Sequence, residues 1–340
     1  MKAMLILPLA AAMVMTMGCC GTKCGASKCC TMEAKTVRQE IDPVIGNWSA
    51  KLPYEDMSAA SLIFSRDENG QAKAFVLLRW ASPEWCEDVC IKGTEFSLRQ
   101  TQHKALIKGR VEGDKLFAEI AKCDKAGKQK GEWQKFEGYR NTPACPFVST
   151  RDIKLGEPID LLKDGLAGWK TMNPKAKFGW SFKDGILSNK LGLKPDGKWA
   201  GGGCNLVSLK NDFGDFNLEY DVRVPKDSNS GVYLRGRFEC QVVDSYGKGV
   251  DRHNMAAYYG RVTPICSAEK AQGEWQHVSV TLFKRRMTVV LNGVTIIEDA
   301  ELTGVTGGAI DADLDAPGPI YLQGDHSDAD FKNMILRPAR

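Results

Sequence analysis

Between Phe216 and Arg223 apolar and polar side chains alternate residue by residue. Phe216, Leu218, Tyr220 and Val222 fall on one face, and Asn217, Glu219, Asp221 and Arg223 on the other. A period of two buries one face only in an extended strand. The same rhythm returns at Val278, Val280 and Leu282, and at Met287–Leu291, where Asn292-Gly293 marks a hairpin before Val294–Ile297. In the first half Ser61–Ser65 and Ala72–Trp80 flank Asn69-Gly70, and Ala105–Val111 and Lys115–Ile120 flank Glu112-Gly113-Asp114. Long amphipathic helical patterns are missing, so the chain reads as all-β: a smaller antiparallel meander or barrel-like domain over 45–150, then a β-sandwich or jelly roll over 155–340. Pro143 and Pro146 interrupt pairing near the boundary.

A length of 340 residues suits two domains. The formal charge of +4 is small and no basic run is interleaved with aromatics, which argues against nucleic acid as a partner. Lys2 followed by the apolar run Met4–Met17 reads as a signal peptide over 1–18, so the protein is expected to be exported to the periplasm or cell envelope. Gly18-Cys19 has the form of a lipoprotein cleavage site with Cys19 lipidated. The membrane would then be met only through that anchor. Residues 19–44 read as a cysteine-rich tether and linker, because the vicinal pairs Cys19-Cys20 and Cys29-Cys30 lack the spacing of zinc modules. Cys86, Cys90, Cys123 and Cys145 are an even set able to pair in an oxidising compartment.

The segment Val232–Asp244 carries the chemistry. Read as one strand, it puts Val232, Leu234, Phe238, Cys240 and Val242 on the core face. Tyr233, Arg235, Arg237, Glu239 and Gln241 then share the other face. Such a wet row suits a polyhydroxylated ligand, since guanidinium, carboxylate and amide groups satisfy hydroxyls directionally and a ring covers an apolar sugar face. The same row is also what the solvated side of a half-exposed sheet looks like. Gln323-Gly324-Asp325-His326 follows an apolar run, and a histidine beside an aspartate at a strand end is a base, a metal ligand or a capped surface residue. Phosphate-cradling, dinucleotide and Gly-x-Ser-x-Gly motifs are all missing.

Gly165-Leu166-Ala167-Gly168-Trp169, Asp184-Gly185-Ile186-Leu187, Phe213-Gly214-Asp215-Phe216, Asn229–Gly236, Phe238–Asp244, Tyr259-Gly260, Gly273-Glu274-Trp275 and Leu322–His326 stand in the order of one known domain. Residues 155–340 resemble the 3-keto-disaccharide hydrolase family. Ser327 and Lys332 depart from its usual glycine and arginine. The resemblance implies a concanavalin-like jelly roll acting on glycosides whose C3 hydroxyl is already a ketone: C2 deprotonation, loss of the C1 substituent, then hydration. The roles it suggests are Arg235 on the ketone oxygen, Glu239 as base two alternating steps away (~13 Å at strand rise), and His326 as rival base or acid. Asn229, Tyr233, Gln241, Tyr259 and Gln323 would hold hydroxyls. No cofactor is required, although Asp244 and Asp325 are candidate ligands for a divalent metal. The competing reading is a non-catalytic glycan-binding module. A third is a structural or adhesion protein with the first domain as its functional end, Arg79-Trp80, Trp85 and Trp133 lining a pocket, though tryptophans in a small β domain more often serve the core.

Overall fold

The computed structural model describes residues 42–55 and 57–340. The expected signal peptide, the expected lipidation site Cys19 and all but the end of the expected tether lie outside the described residues. Ile41–Arg340 forms one compact unit.

The first half supplies β1 (Gly46–Lys51), β2 (Ala59–Arg66), β3 (Ala72–Leu78), β4 (Glu84–Trp85), β5 (Glu87–Lys92), β6 (Glu95–Gln100), β7 (Ala105–Glu112), β8 (Lys115–Lys122) and β9 (Gln134–Arg140). They form one sheet of order β4-β3-β2-β1-β9-β8-β7-β6-β5, curled into a nearly closed barrel. The turns expected from sequence are present: Gly70 (φ 75°) and Gly113 (φ 59°) take left-handed positions that favour glycine. Trp48, Leu62, Phe64, Val76, Phe96, Ile107 and Leu116 fill the barrel. Trp80 and Trp85 do not join them; they are 47% and 52% exposed.

The second half contains β10 (Ile159–Asp160), β11 (Trp169–Thr171), β12 (Trp180–Lys183), β13 (Ile186–Asn189), β14 (Leu206–Ser208), β15 (Phe216–Arg223), β16 (Asn229–Leu234), β17 (Phe238–Val243), β18 (Gln276–Phe283), β19 (Arg286–Leu291), β20 (Val294–Glu301), β21 (Tyr321–Leu322) and β22 (Ala329–Pro338). One sheet runs β12-β13-β22-β15-β18-β19-β20, with β10 on β22, and the other runs β11-β14-β21-β16-β17. Their facing sides make one apolar core. The alternating residues Phe216, Leu218, Tyr220 and Val222 meet Val232, Leu234, Phe238 and Val242 there. Burial of this kind is the main stabilising contribution.

The structure corrects one expectation about this core. Val232–Asp244 is not one strand. β16 turns through Arg235-Gly236-Arg237 and returns as β17, with Arg235 (φ 52°) and Gly236 (φ 69°) both left-handed. Tyr233 pairs with Glu239, Val232 with Cys240 and Gly231 with Gln241. Antiparallel partners share a face, so the expected parity holds for the strand residues while the two arginines leave that face.

The halves touch through specific groups. Ser49 Oγ donates to the Ala312 carbonyl at 2.6 Å, and the Gly308 amide donates to the Arg79 carbonyl at 2.8 Å. Asp299 accepts from Ser149 Oγ at 2.6 Å and from the Thr150 amide and hydroxyl at 2.7 Å each, fixing the connecting segment on β20. The expected pairing of Cys86, Cys90, Cys123 and Cys145 is not seen; all are free thiols. Asp299→Ala should release the connecting segment and speed tryptic cleavage after Arg151, followed by mass spectrometry. Unchanged cleavage would show that Asp299 does not hold it.

Candidate functional site

The side of the five-stranded sheet turned away from the sandwich core gathers the polar groups. Odd-numbered residues of β16 and β17 point there: Asn229, Tyr233, Glu239 and Gln241, with Gly231 between. β21 adds Tyr321 opposite Tyr233, and the Gln323 amide donates to the Gly231 carbonyl at 2.9 Å, which places Gln323 beside Gly231. β14 contributes Val207 opposite Tyr321, and Asn205 just precedes that strand.

Glu239 is the centre. It is 3% exposed, and burial pushes its carboxyl up to about 8 from the ordinary carboxylate range. The Tyr233 hydroxyl pulls the other way, and the nearby Asp325 charge adds to the rise. The carboxyl occupies the space above Gly231, where a Cβ would collide with it. Glycine is therefore needed at 231 for room rather than for backbone freedom. Tyr233 and Tyr321 stack at 4.1 Å with an interplanar angle of 13°. Tyr233 donates to the Gly307 carbonyl at 2.7 Å, and Tyr321 accepts from Asn205 Nδ2 at 3.1 Å, which leaves the Tyr321 proton available. Asn229 Oδ1 and Gln323 Oε1 are buried oxygens without a protein partner. Such groups are uncommon in native interiors and call for an explanation; a ligand hydroxyl is one. Gln241 spends its own oxygen on the Val242 amide at 2.9 Å.

One end of the face is roofed. The segment after β20 runs over Tyr233, with Gly307 taking its hydroxyl and Ile310 packing against Val207, Tyr233 and Tyr321. At the other end His326 reaches the surface. Its Nδ1 lies 2.5 Å from Asp325 Oδ1, and that bond raises its pKa above the ordinary imidazole value against a smaller effect of burial. Tyr259 is half-buried; burial lifts its phenol above the usual value, while a bond with Ser82 draws it back and the Glu239 charge adds to the lift.

Two expected site residues stand elsewhere. Arg235 sits in the β16–β17 turn, and its guanidinium is taken up by the Gly214 carbonyl at 2.8 Å, the Leu314 carbonyl at 3.3 Å and the Asp215 carboxylate. Its expected place on the Glu239 face rested on an unbroken strand, and the turn removes it. Asp244 accepts from the Asp227 amide at 3.0 Å, a bond that closes the loop before β16. Among the described residues no three His, Cys, Asp or Glu side chains converge as a metal site would require, and Asp244 and Asp325 are no exception.

Other residues join the site without a clear mark in the sequence. Tyr321 was hidden in an apolar run, although its parity with Gln323 is the signal that places both on one face. Asn205 opens a segment, Asn205-Leu206-Val207, that also fits the family's order, but nothing local gives it a place at the site. Asp251, His253 and Ser82 form a hydrogen-bonded chain at the rim: His253 Nδ1 to Asp251 Oδ1 at 2.5 Å and Nε2 to Ser82 Oγ at 2.6 Å. Asp251-x-His253 is readable as a local pair. Ser82 belongs to the first half of the chain, and nothing in the sequence connects it to the other two.

This fold is a jelly-roll-type β-sandwich whose outer face is polar and aromatic. The chain belongs to the 3-keto-alpha-glucoside-1,2-lyase-like domain family, whose profile matches residues 158–337, more than half its length. Solved structures similar to it include a candidate glycosyl hydrolase from Parabacteroides distasonis, 22% identical over 58% of this chain and 94% of that one, with a TM-score of 0.42. A second from the same organism is 18% identical over 53% of this chain and 93% of that one, also at a TM-score of 0.42. A carbohydrate-binding module from Bacillus subtilis is 14% identical over 49% and 93%, with a TM-score of 0.32. No curated protein matches the chain.

The raised Glu239 pKa has a thermodynamic consequence. The folded state keeps a proton that the unfolded chain gives up at its ordinary, lower pKa, so stability falls as pH rises from the ordinary carboxylate value to about 8, then levels. Glu239→Gln has no such proton to lose. Its stability advantage over the parent protein should widen across that window in urea titrations, and a constant difference would place the Glu239 pKa near normal.

Proposed function

We propose that the protein cleaves 3-keto-glycosides by elimination and hydration. The observation that carries this reading is the Glu239 carboxyl, buried over Gly231, held near neutral pKa and set among polar groups suited to a sugar. A ketone at C3 acidifies the C2 proton. Ionised Glu239 removes it, and the electrons pass to the C3 oxygen as an enolate. A base is most effective when its pKa lies close to the working pH, which burial achieves here. Tyr321, already accepting from Asn205, keeps its proton and donates a hydrogen bond to the enolate oxygen.

The enolate then expels the C1 substituent. His326, whose protonated form Asp325 favours, gives the departing oxygen its proton. Water adds to C1 of the resulting enone as a proton returns to C2, so that the net change is hydrolysis. Asn229 Oδ1 and Gln323 Oε1 accept ring hydroxyls, with Gln241 and Tyr259 beside them. Arg235 holds the roof in place and has no direct role on the ketone. Paired carboxylates of the ordinary glycosidase kind are unnecessary, because the ketone does the activating.

The test is turnover by the full chain of 3-keto-trehalose or an aryl 3-keto-glucoside beside the unoxidised sugar, with and without a chelator. Release from the keto sugar alone is expected, with kcat/KM rising as Glu239 ionises through about pH 8. Glu239→Gln should lower kcat by about 100-fold or more and abolish that limb. Binding without release would make the domain a glycan-binding module, and chelator sensitivity would bring a metal into the reaction.

A further inference from the structure

Two cavities, of about 770 and 580 Å³, lie in the first sheet, and neither is lined by the Glu239 face. The smaller opens at one mouth of the barrel, where Tyr54 follows β1, Arg79 and Trp80 follow β3, His103 joins β6 to β7, and Glu132 and Gln134 lead into β9. Barrel mouths are frequent ligand sites, and a volume of this size falls within the usual range for small molecules.

We infer that this mouth is a second saccharide site, in which a pyranose ring stacks on Trp80 and its hydroxyls bond to Glu132 and Gln134. Trp80 is 47% exposed, yet it is firmly mounted. The Arg79 guanidinium lies 4.2 Å from the Tyr54 ring centre and 4.3 Å from that of Trp80, clamped between the two. The His103 ring stands 5.8 Å from the indole, and its Nε2 meets the Trp80 carbonyl at 3.2 Å. An indole fixed in place and left open on one face is what stacking on a sugar needs, since little side-chain freedom is lost on binding. Around it stand a carboxylate, an amide and the Lys122 ammonium, all on the rim. Core packing does not explain an aromatic this exposed.

Backbone geometry points the same way. Arg79 (φ 62°) and Ala81 (φ 64°) both adopt left-handed positions that non-glycine residues seldom take. The conformation persists because Gly307 presses on Ala81 where a side chain would collide, and because the Arg79 carbonyl takes the Gly308 amide. Trp80 thereby faces the barrel mouth while Ser82, two residues on, bonds to His253 at the rim of the Glu239 face. One short loop serves both places. The inference does not depend on a keto sugar as substrate.

Calorimetric titration of the full chain with cellobiose, maltose and trehalose at millimolar concentration tests it. Binding of at least one is expected, weakened about tenfold or more by Trp80→Ala and retained by Trp80→Phe. Glu132→Ala, in the segment leading into β9 rather than in the Ser82 loop, should weaken it as well, which covers the case in which Trp80→Ala disturbs folding. Glu239→Ala should leave it unchanged. The inference is overturned if none of the three sugars binds, if Trp80→Ala and Glu132→Ala bind like the parent protein, if Glu239→Ala abolishes binding, or if palmitate binds at the mouth where the sugars do not.

Discussion

Two buried guanidinium groups in one turn hold the polypeptide on which the site depends. Arg235 takes the carbonyls of Gly214 and Leu314 and the carboxylate of Asp215. Arg237 grips Asp311 with two bonds, at 2.5 and 2.7 Å, and the Ala316 carbonyl at 3.1 Å. A charge taken out of water is tolerated only when it is paired and fully hydrogen-bonded, and here the partners are the segment that roofs Tyr233. Planarity and five donors let arginine bind several strand-end carbonyls at once, which a lysine cannot do. The turn thus converts two charges into the wall of a cavity, and the aromatic pair beneath that wall keeps its orientation.

Beneath the roof, burial does the chemical preparation. Among the described residues no cation stabilises the ionised form of Glu239; desolvation is the larger influence and Asp325 adds to it. The carboxyl therefore stays near neutral pH in its readiness to exchange a proton. Nearby, Asp325 has the opposite effect on His326 and favours its charged form. Both groups are raised by different causes: burial disfavours the charge of Glu239, and the bond to Asp325 favours the charge of His326.

Much of this was legible in the sequence because a strand's period of two is unambiguous. The alternation from Phe216 to Val222 became the sandwich core, and the parity of Tyr233, Glu239 and Gln241 survived a turn that the sequence reading did not foresee. It survived because antiparallel pairing across that turn keeps odd residues with odd ones. Arg235 and Arg237 were misplaced for the same reason that Glu239 was found: parity says which face a strand residue takes and nothing about where the strand ends. Gly236 was the available sign of the turn. The partners of Asn205 and Ser82 and the roof were out of reach, since contacts between residues more than seventy positions apart depend on tertiary packing rather than on any local pattern.

The roof belongs mechanically to both halves of the molecule. Ala312 accepts from Ser49, and Gly308 donates to Arg79, so the segment above Tyr233 is also fastened to the first sheet. A ligand that lifts it must do work against those bonds. Occupancy of the barrel mouth, by stiffening the loop at Arg79, would raise that work, and occupancy of the Glu239 face would by the same amount oppose binding at the mouth. Coupling of this kind is reciprocal whatever its size, which turns a pair of hydrogen bonds into a channel through which one half of the chain reports on the other.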